Sequence, residues 1–530
     1  MKWLFLCSTL PMYIYFILKA SKAIQMLQQN YYDEDNRYFK WIIANPHKAL
    51  LEVDMFFIAF IVFLFLSFNT SAFIFGIFYF ITTCLYVKKM NNDQKKKPLA
   101  LTARVKRLFT MLLVLMLIPT IVMTINFNEL YFAYNYLLLG LLTYLTYFVV
   151  MTGSRLCIPI EKLVHRHFRV KAIKKLKSMN NLDVVGITGS YGKTSSKNIL
   201  NDILSVKFDS FKTPKNYNTP IGLILSINNY LDKFSTIFIA EMGAFKVGEI
   251  KDCCDLVHPK YGILTKIGTA HLVSFGSQEN IQKGKIELIE SLPSDGAAVL
   301  NGDDPLQLSY TIKSNCKKLW IGIENHDVDL YATNIKLTNK GMTFDCKFRD
   351  DDNLYPFETK LLGNANIYNI LAGVMLGKHL GMSIQELQRG VKKVQTIEHR
   401  LELKKYGDIN IIDDAYNSNP VGSKMALDVL NLMPGKKIVV TPGMIELGDQ
   451  QHELNKKFGE YISEVADEVI LVGETQTKPI YEGLAEKGFD NDKIHIINDV
   501  KLAFPLMREL KNGETYVLLE NDLPDLFNEK

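Results

Sequence analysis

The stretch DVVGITGSYGKTSSKNILNDIL, residues 183–204, passes from a β-branched run at 184–187 through a glycine-rich turn into a segment where Ile199, Leu200, Ile203 and Leu204 recur at helical spacing. Strand, loop and helix in that order make a phosphate-binding unit. Gly189, Ser190 and Gly192 form a loop whose backbone N–H groups can wrap a phosphate chain. Lys193 reaches the terminal phosphates, and the Thr194 hydroxyl is placed to ligate Mg²⁺. The spacing is a shorter GxxGK[ST] form, because the first glycine of GxxxxGK[ST] would fall on Ile187. Framed by a hydrophobic strand and an amphipathic helix, it implies a mononucleotide site for ATP.

Downstream, residues 236–243 (TIFIAEMG) read as a buried strand that delivers Glu241 at its C-terminal end, where α/β sheets build their sites. Residues 263–271 (ILTKIGTAH) read as a second strand whose following loop presents His271, and residues 281–289 as a helix carrying Lys283 and Lys285. A lone histidine or strand-end glutamate is ordinarily structural. A hydroxyl, a carboxylate and an imidazole near one phosphate loop are the donors expected to hold Mg²⁺ on ATP.

The 530 residues carry 61 Lys+Arg against 56 Asp+Glu, a net charge of +5, with 22% charged residues. That length excludes a small stapled scaffold and that charge a disordered chain. The seven cysteines are scattered without a CxxC pair, so neither a disulfide framework nor a cysteine–metal site is expected.

The first 150 or so residues obey a different chemistry. Residues 3–18 contain no charge, nor do 55–87, 108–125 and 130–151. Residues 55–87 are too long for one crossing of a core of ~30 Å, so two helices with a turn near Asn69 are expected, about five spans in all. Lys88, Lys89, Lys95, Lys96, Lys97, Arg104, Lys106 and Arg107, opposed only by Asp93, precede the fourth span, and a second basic run follows the fifth. The positive-inside rule then puts the N-terminus outside and everything after Met151 in the cytoplasm. Basic residues beside spans point to topology and membrane lipid, not nucleic acid.

The runs GITGSYGKTSSK, TPKNYNTPIGL, EMGAFKVGEI, TKIGTAHLVSFGSQENIQKGKIE, VLNGDDP, LLGNANIYNILAG, EHRLE, IIDDAYNSNP and GMIELGDQQHEL resemble the Mur ligases, ATP-dependent enzymes that build the peptide of bacterial cell-wall precursors. Within that family they are most similar to the MurF-type branch, which adds D-alanyl-D-alanine. The resemblance runs from about Asp183 to the end. It implies that Lys193 and Thr194 serve the β- and γ-phosphates, that Glu241 and His271 bind metal, and that Lys285 is the lysine many members carry as a carbamate. It further implies that Asn301 faces adenine with Asp304 nearby, and that Arg400 and Asp414 reach ATP when the last domain closes. Asn216, Asn218 and Asn417 would touch substrate, and Asn364 and Asn366 would lie near the interdomain cleft. The implied reaction phosphorylates a carboxylate to an acyl phosphate, which an amine then attacks. The chain shows no GxSxG elbow or Cys/His pair for acyl-enzyme chemistry.

From Asp408 short hydrophobic strands alternate with helices at 421–432 and 451–465, the pattern of a parallel, Rossmann-like sheet without a dinucleotide fingerprint. The expected organisation is thus an α-helical membrane region (1–175), an α/β phosphate-loop central domain (176–395) and a Rossmann-like C-terminal domain (396–530). Three departures from the family pattern stand out: Lys266 in TKIG, Gly443 in PGMIELG, and Asn455 where a histidine is usual. The membrane spans stand where the family's UDP-gripping domain would begin the chain. The expected partners are a small-molecule or lipid-linked envelope precursor and an amino acid or dipeptide. The competing class is a transporter or scaffold with a regulatory nucleotide domain. Against it, the uncharged runs hold no Asp, Glu, Lys or Arg to mark an ion path.

Overall fold

The structure, a computed structural model, describes every residue except 93–97, 129, 339–340, 397, 416–417, 446 and 523–530. Asp93, Lys95, Lys96, Lys97 and Asn417 therefore lie outside the described residues. The chain forms two compact units, Met1–His167 and Phe168–Lys530.

In the first unit three helices are long and apolar enough to cross a membrane: Lys2–Gln29, Phe68–Met90 and Ala103–Ile125. Phe132–Tyr144 and Thr146–Lys177, bent by 77° at Leu145, together make a fourth candidate. The second expected span, the first half of 55–87, is a 13-residue 3₁₀ helix, Val53–Phe65. At ~2.0 Å per residue, the 3₁₀ form stretches those residues over ~26 Å, where an α-helix would cover ~20 Å. The break falls at Leu66–Ser67 rather than at Asn69. Ser67 Oγ accepts from Thr70 N at 3.3 Å and meets Thr70 Oγ1 at 2.8 Å, so the hydroxyl starts the next helix and leaves Asn69 in its first turn.

These elements run in alternate directions. Lys2 Nζ donates to Ile125 O (2.8 Å) at one end, where the Phe68 ring also meets Phe127 and Phe132. At the other end Gln28 exchanges two hydrogen bonds with Ala100, Lys89 pairs with Glu52 (3.0 Å), and Arg107 grips Glu161 through two 2.7 Å bonds. The bundle is not free of charge, as the uncharged runs suggested. The helices extend past them, and Lys19 and Asp54 form a fully buried ion pair at 2.5 Å. Lys19 also donates to Tyr144 O (3.1 Å), a carbonyl at the end of the bent helix, which gives that orphaned acceptor a partner.

The second unit opens with a nine-stranded sheet: β1 Asp183–Thr188, β2 Ser210–Lys212, β3 Ile237–Glu241, β4 Tyr261–Leu264, β5 Ala297–Asn301, β6 Lys317–Gly322, β7 Leu330–Thr338, β8 Gly341–Phe348 and β9 Leu354–Thr359, in the order β2-β3-β1-β4-β5-β6-β7-β8-β9. Strands β1 to β7 pair in parallel, and β7, β8 and β9 close the far edge as an antiparallel meander. The Lys193–Leu204 helix turns Ile199, Leu200, Ile203 and Leu204 into the core, each fully buried. Burial of each such side chain contributes about 2 kcal/mol over exposure. The register pairs Ile187 with Glu241, which brings that carboxylate level with the start of the phosphate loop.

A six-stranded sheet follows: β10 Glu402–Tyr406, β11 Ile409–Asp414, β12 Lys436–Thr441, β13 Glu468–Val472, β14 Ile494–Ile497 and β15 Thr515–Glu520, ordered β10-β11-β15-β12-β13-β14. All pairs but β10–β11 are parallel, and helices Pro420–Asn431 and Gln451–Ser463 pack against the sheet's Val439, Val469 and Leu518. This is the Rossmann-like layering expected from the alternation of strands and helices.

Candidate active site

Four of the expected residues meet at the C-terminal ends of β1 and β3. Thr194 Oγ1 donates to Glu241 Oε1 at 3.0 Å, and Asn218 Nδ2 donates to the same oxygen at 3.1 Å. Lys193 Nζ bonds to Gly189 O (2.7 Å) and Ser190 O (3.0 Å), poised over its own loop. Burial lowers the Lys193 ammonium to about 8; the Glu241 charge works against that shift and Arg400 adds to it.

The loop is held from behind by residues 265–269. Ser190 N and Tyr191 N donate to Lys266 O, and Thr265 Oγ1 donates to Tyr191 O (2.6 Å). Gly189 (φ +149°) lies so close that a Cβ there would stand 2.0 Å from Thr265 Oγ1, so only glycine fits. Lys266 serves through its backbone carbonyl, which accounts for the tolerance of lysine in TKIG.

Sequence reasoning missed Lys197. It is 2% exposed, its ammonium lies 2.9 Å from Glu241 Oε2, and it donates to Lys215 O at 2.6 Å. Burial alone would raise the Glu241 carboxyl, but the charges of Lys197 and Lys193 and the bonds from Lys197 and Asn218 outweigh it and hold the group below the usual carboxylate range. The signal was present: Lys193, Lys197, Leu200 and Leu204 are spaced 4, 3 and 4 residues apart, one stripe of the helix.

Lys285 is 1% exposed, with Nζ 3.2 Å from Ala244 O and over the Phe275 ring at 5.2 Å. Burial, then the nearby Lys193 charge, lowers it to about 7. His271 stands in the loop after β4 with φ +63°, its ring edge-on to Phe245 at 4.6 Å. Among the described residues no group of three or more His, Cys, Asp and Glu side chains is arranged to hold a metal. The hard oxygens of Thr194 and Glu241 beside a phosphate loop nevertheless fit Mg²⁺, which takes one or two carboxylates and fills its shell with phosphate oxygens and water.

Two cavities flank the loop. One is lined by Tyr191, Asn301, Asn366, Arg400 and Asp414 among others, so these expected nucleotide residues do share a cleft. Asp304 instead caps its own turn and fixes Ile267 N at 2.8 Å, a structural task. Asn364 is exposed. The other cavity, about 770 Å³, is lined by Thr194, Lys197, Lys212, Lys215, Asn216 and Arg400 among others. Arg400 borders both.

Asp414 and Glu520 are register partners on β11 and β15. Burial raises Asp414 to about 6 against the pull of Arg400, and burial together with the Asp414 charge pushes Glu520 well above its ordinary value. Gly443 (φ +84°) and Asn455 complement each other: Asn455 Oδ1 accepts from Met444 N (2.8 Å) and its Nδ2 donates to Met444 O (2.9 Å), and a Cβ on residue 443 would stand 3.0 Å from that Oδ1.

A phosphate loop on a parallel sheet, a carboxylate one strand away and an arginine contributed by a following doubly wound sheet define a nucleotide-dependent enzyme that works at a domain cleft. Residues 187–377 match the Mur ligase middle domain and residues 399–519 the Mur ligase, glutamate ligase domain. The chain is 31% identical over 331 residues to the UDP-N-acetylmuramoyl-tripeptide–D-alanyl-D-alanine ligase of Bacillus subtilis, covering 62% of this chain and 70% of that protein. It is 30% identical over 324 residues to the Escherichia coli enzyme of the same name, covering 60% and 70%. The crystal structure of MurF ligase from Thermotoga maritima in complex with ADP superposes with a TM-score of 0.59 at 28% identity, covering 67% of this chain and 80% of that one. The chain belongs to the Mur ligase family. It is an ATP-dependent ligase that forms an amide bond in cell-wall synthesis.

Proposed function

We propose that the protein is a membrane-anchored ligase that activates a carboxylic acid as an acyl phosphate at the Lys193 loop and joins it to the amino group of an amino acid or dipeptide. The observation that carries this reading is the meeting of Thr194 and Asn218 on Glu241 Oε1 beside the loop whose carbonyls hold Lys193. The acid's oxygen attacks the γ-phosphorus of ATP and ADP leaves. The amine then adds to the acyl carbon, loses a proton, and the tetrahedral intermediate expels phosphate. Each stage gathers negative charge on phosphoryl and acyl oxygens, which Lys193, Arg400 and the N–H groups of the first turn of the Lys193–Leu204 helix would stabilise. Thr194 and Glu241 would hold Mg²⁺, whose charge offsets that of the β- and γ-phosphates. Asn216, which lines the 770 Å³ cavity, and Asn218 would orient the acid.

The relatives' name gives a UDP-linked tripeptide as acid and D-alanyl-D-alanine as amine. The apolar bundle favours an acceptor held in the same membrane, where confinement to two dimensions raises effective concentration. In this reading the bundle crosses the membrane five times and the catalytic domains are cytoplasmic. Membranes containing the protein, given ATP, Mg²⁺ and labelled D-alanyl-D-alanine or amino acids, are expected to release phosphate only when both acid and amine are present, with label entering the lipid-linked pool. Label confined to the nucleotide-linked pool would favour the soluble precursor. Phosphate release needing neither substrate would defeat ligation altogether.

A buried amine lowered to about 7 is substantially neutral at physiological pH, the form that takes up CO₂ to give a carbamate and a proton. With ¹³C-bicarbonate the protein is expected to show a lysine carbamate resonance at least about tenfold stronger at pH 8 than at pH 6, because the neutral fraction rises and the released proton is taken up, which together outweigh the fall in dissolved CO₂. Lys285→Arg should abolish it. A resonance that survives in that variant, or none in the wild type, removes Lys285 from the metal site.

A further inference from the structure

We propose that Lys197 is a built-in counter-ion that the metal displaces from Glu241, freeing its ammonium to receive the carboxylate of the acid substrate. The inference rests on the ligase reading of the same site.

Glu241 is 1% exposed, so its charge requires a permanent partner. Among the described residues its Oε2 has only Lys197, while Oε1 is shared by Thr194 and Asn218. The ammonium thus occupies the side of the carboxylate that a cation on Thr194 and Glu241 would claim. A divalent ion outcompetes one ammonium at that oxygen, and Lys197 has somewhere to go. It lines the 770 Å³ cavity, and its bond to Lys215 O anchors it there. Lys197 donates to Lys215 O and pairs with Glu241 by charge at 2.9 Å, so release of Glu241 frees the rest of its ammonium for an incoming group.

That cavity is built for an anion. Among the described residues Lys197, Lys212, Lys215 and Arg400 line it against the carboxylate of Glu398, and Thr194 joins it to the phosphate loop. A carboxylate arriving there meets the Lys197 ammonium only after metal has taken Glu241, so this cation engages the acid only when the nucleotide and its metal are in place. The exchange orders binding without a moving lid.

The test uses the full-length protein in nanodiscs with ADP, titrating Mg²⁺ from EDTA and reading ADP binding and thermal unfolding together. Lys197→Met is expected to reach half-saturation at about tenfold less Mg²⁺ than wild type, because the metal no longer competes with an ammonium. Mg²⁺ should also raise its Tm by several degrees more than it raises that of wild type. Lys197→Gln, which keeps a donor for Lys215 O, should shift in the same direction and serves if the methionine variant does not fold. Lys197→Arg, which keeps the charge, should retain the wild-type Mg²⁺ dependence. Equal Mg²⁺ dependence in all four proteins, with ADP binding intact, would overturn the counter-ion role and leave the ligase reading standing. Absence of Mg²⁺-dependent ADP binding in the wild type would overturn both.

Discussion

Lys193→Ala should lower ATP-dependent amide formation on the order of a thousandfold, with the fold untouched. The figure follows from the proposed role of Lys193 at the transferring phosphoryl group, in a reaction where such preorganised charge supplies most of the rate. Among the described residues the Lys193 ammonium bonds to Gly189 O and Ser190 O of its own loop. The loop itself is fixed independently, through Ser190 N and Tyr191 N on Lys266 O and through Thr265 on Tyr191 O. Loss of the side chain therefore costs little stability. Lys193→Arg should not rescue the rate, because a planar fork cannot replace a compact point charge within the loop. Phosphate release and labelled amide measured side by side with Tm check the claim. Turnover retained by the alanine variant, or a collapse of Tm matching the loss of activity, would place the chemistry elsewhere.

The phosphate loop was legible in the sequence because its constraint is local. Strand, glycines, lysine and hydroxyl are neighbours in the chain, and the φ of +149° at Gly189 already favours glycine before Thr265 closes the space beside it. The alternating strands and helices after Asp408 were legible for a similar reason, since each short hydrophobic run sits between turn residues. Lys197 is not legible in this way, because its partner Glu241 is 44 positions away and a helix lysine is ordinarily solvated; the tertiary approach of β3 and of Lys215 supplies its partners. The 3₁₀ helix at Val53–Phe65 was invisible for another reason. In a segment apolar on every side, periodicity carries no phase, so pattern cannot separate a 3.0-residue turn from a 3.6-residue one. Lys19 and Asp54 flank the uncharged runs because charge marks where a span ends, and two opposite charges that neutralise each other defeat that rule. The departures at Gly443 and Asn455 looked separate in the sequence, yet they form one compensated arrangement around Met444.

Glu241→Gln is expected to remove activity as thoroughly as Lys193→Ala and, unlike it, to destabilise the domain by about 3–5 kcal/mol, the cost of leaving the Lys197 ammonium buried without a counter-charge. The two effects separate in a double variant. Glu241→Gln with Lys197→Met removes both buried charges, so most of the stability should return while the rate stays low. The acid limb of stability should report the same pair. Since the Glu241 carboxyl is held below its ordinary value, the stabilisation it contributes is complete above the unfolded value near about 4.3 and is lost as pH falls through the lower folded value. Glu241→Gln should therefore unfold in acid with a shallower dependence on pH than wild type. Chemical unfolding of the four proteins of the cycle, at neutral pH and between about pH 2 and 5, measures both. Equal stability of Glu241→Gln and wild type, or a double variant no more stable than the single one, would show that Lys197 and Glu241 do not act as a pair, and would sever the electrostatic link between the helix and β3 on which the site is built.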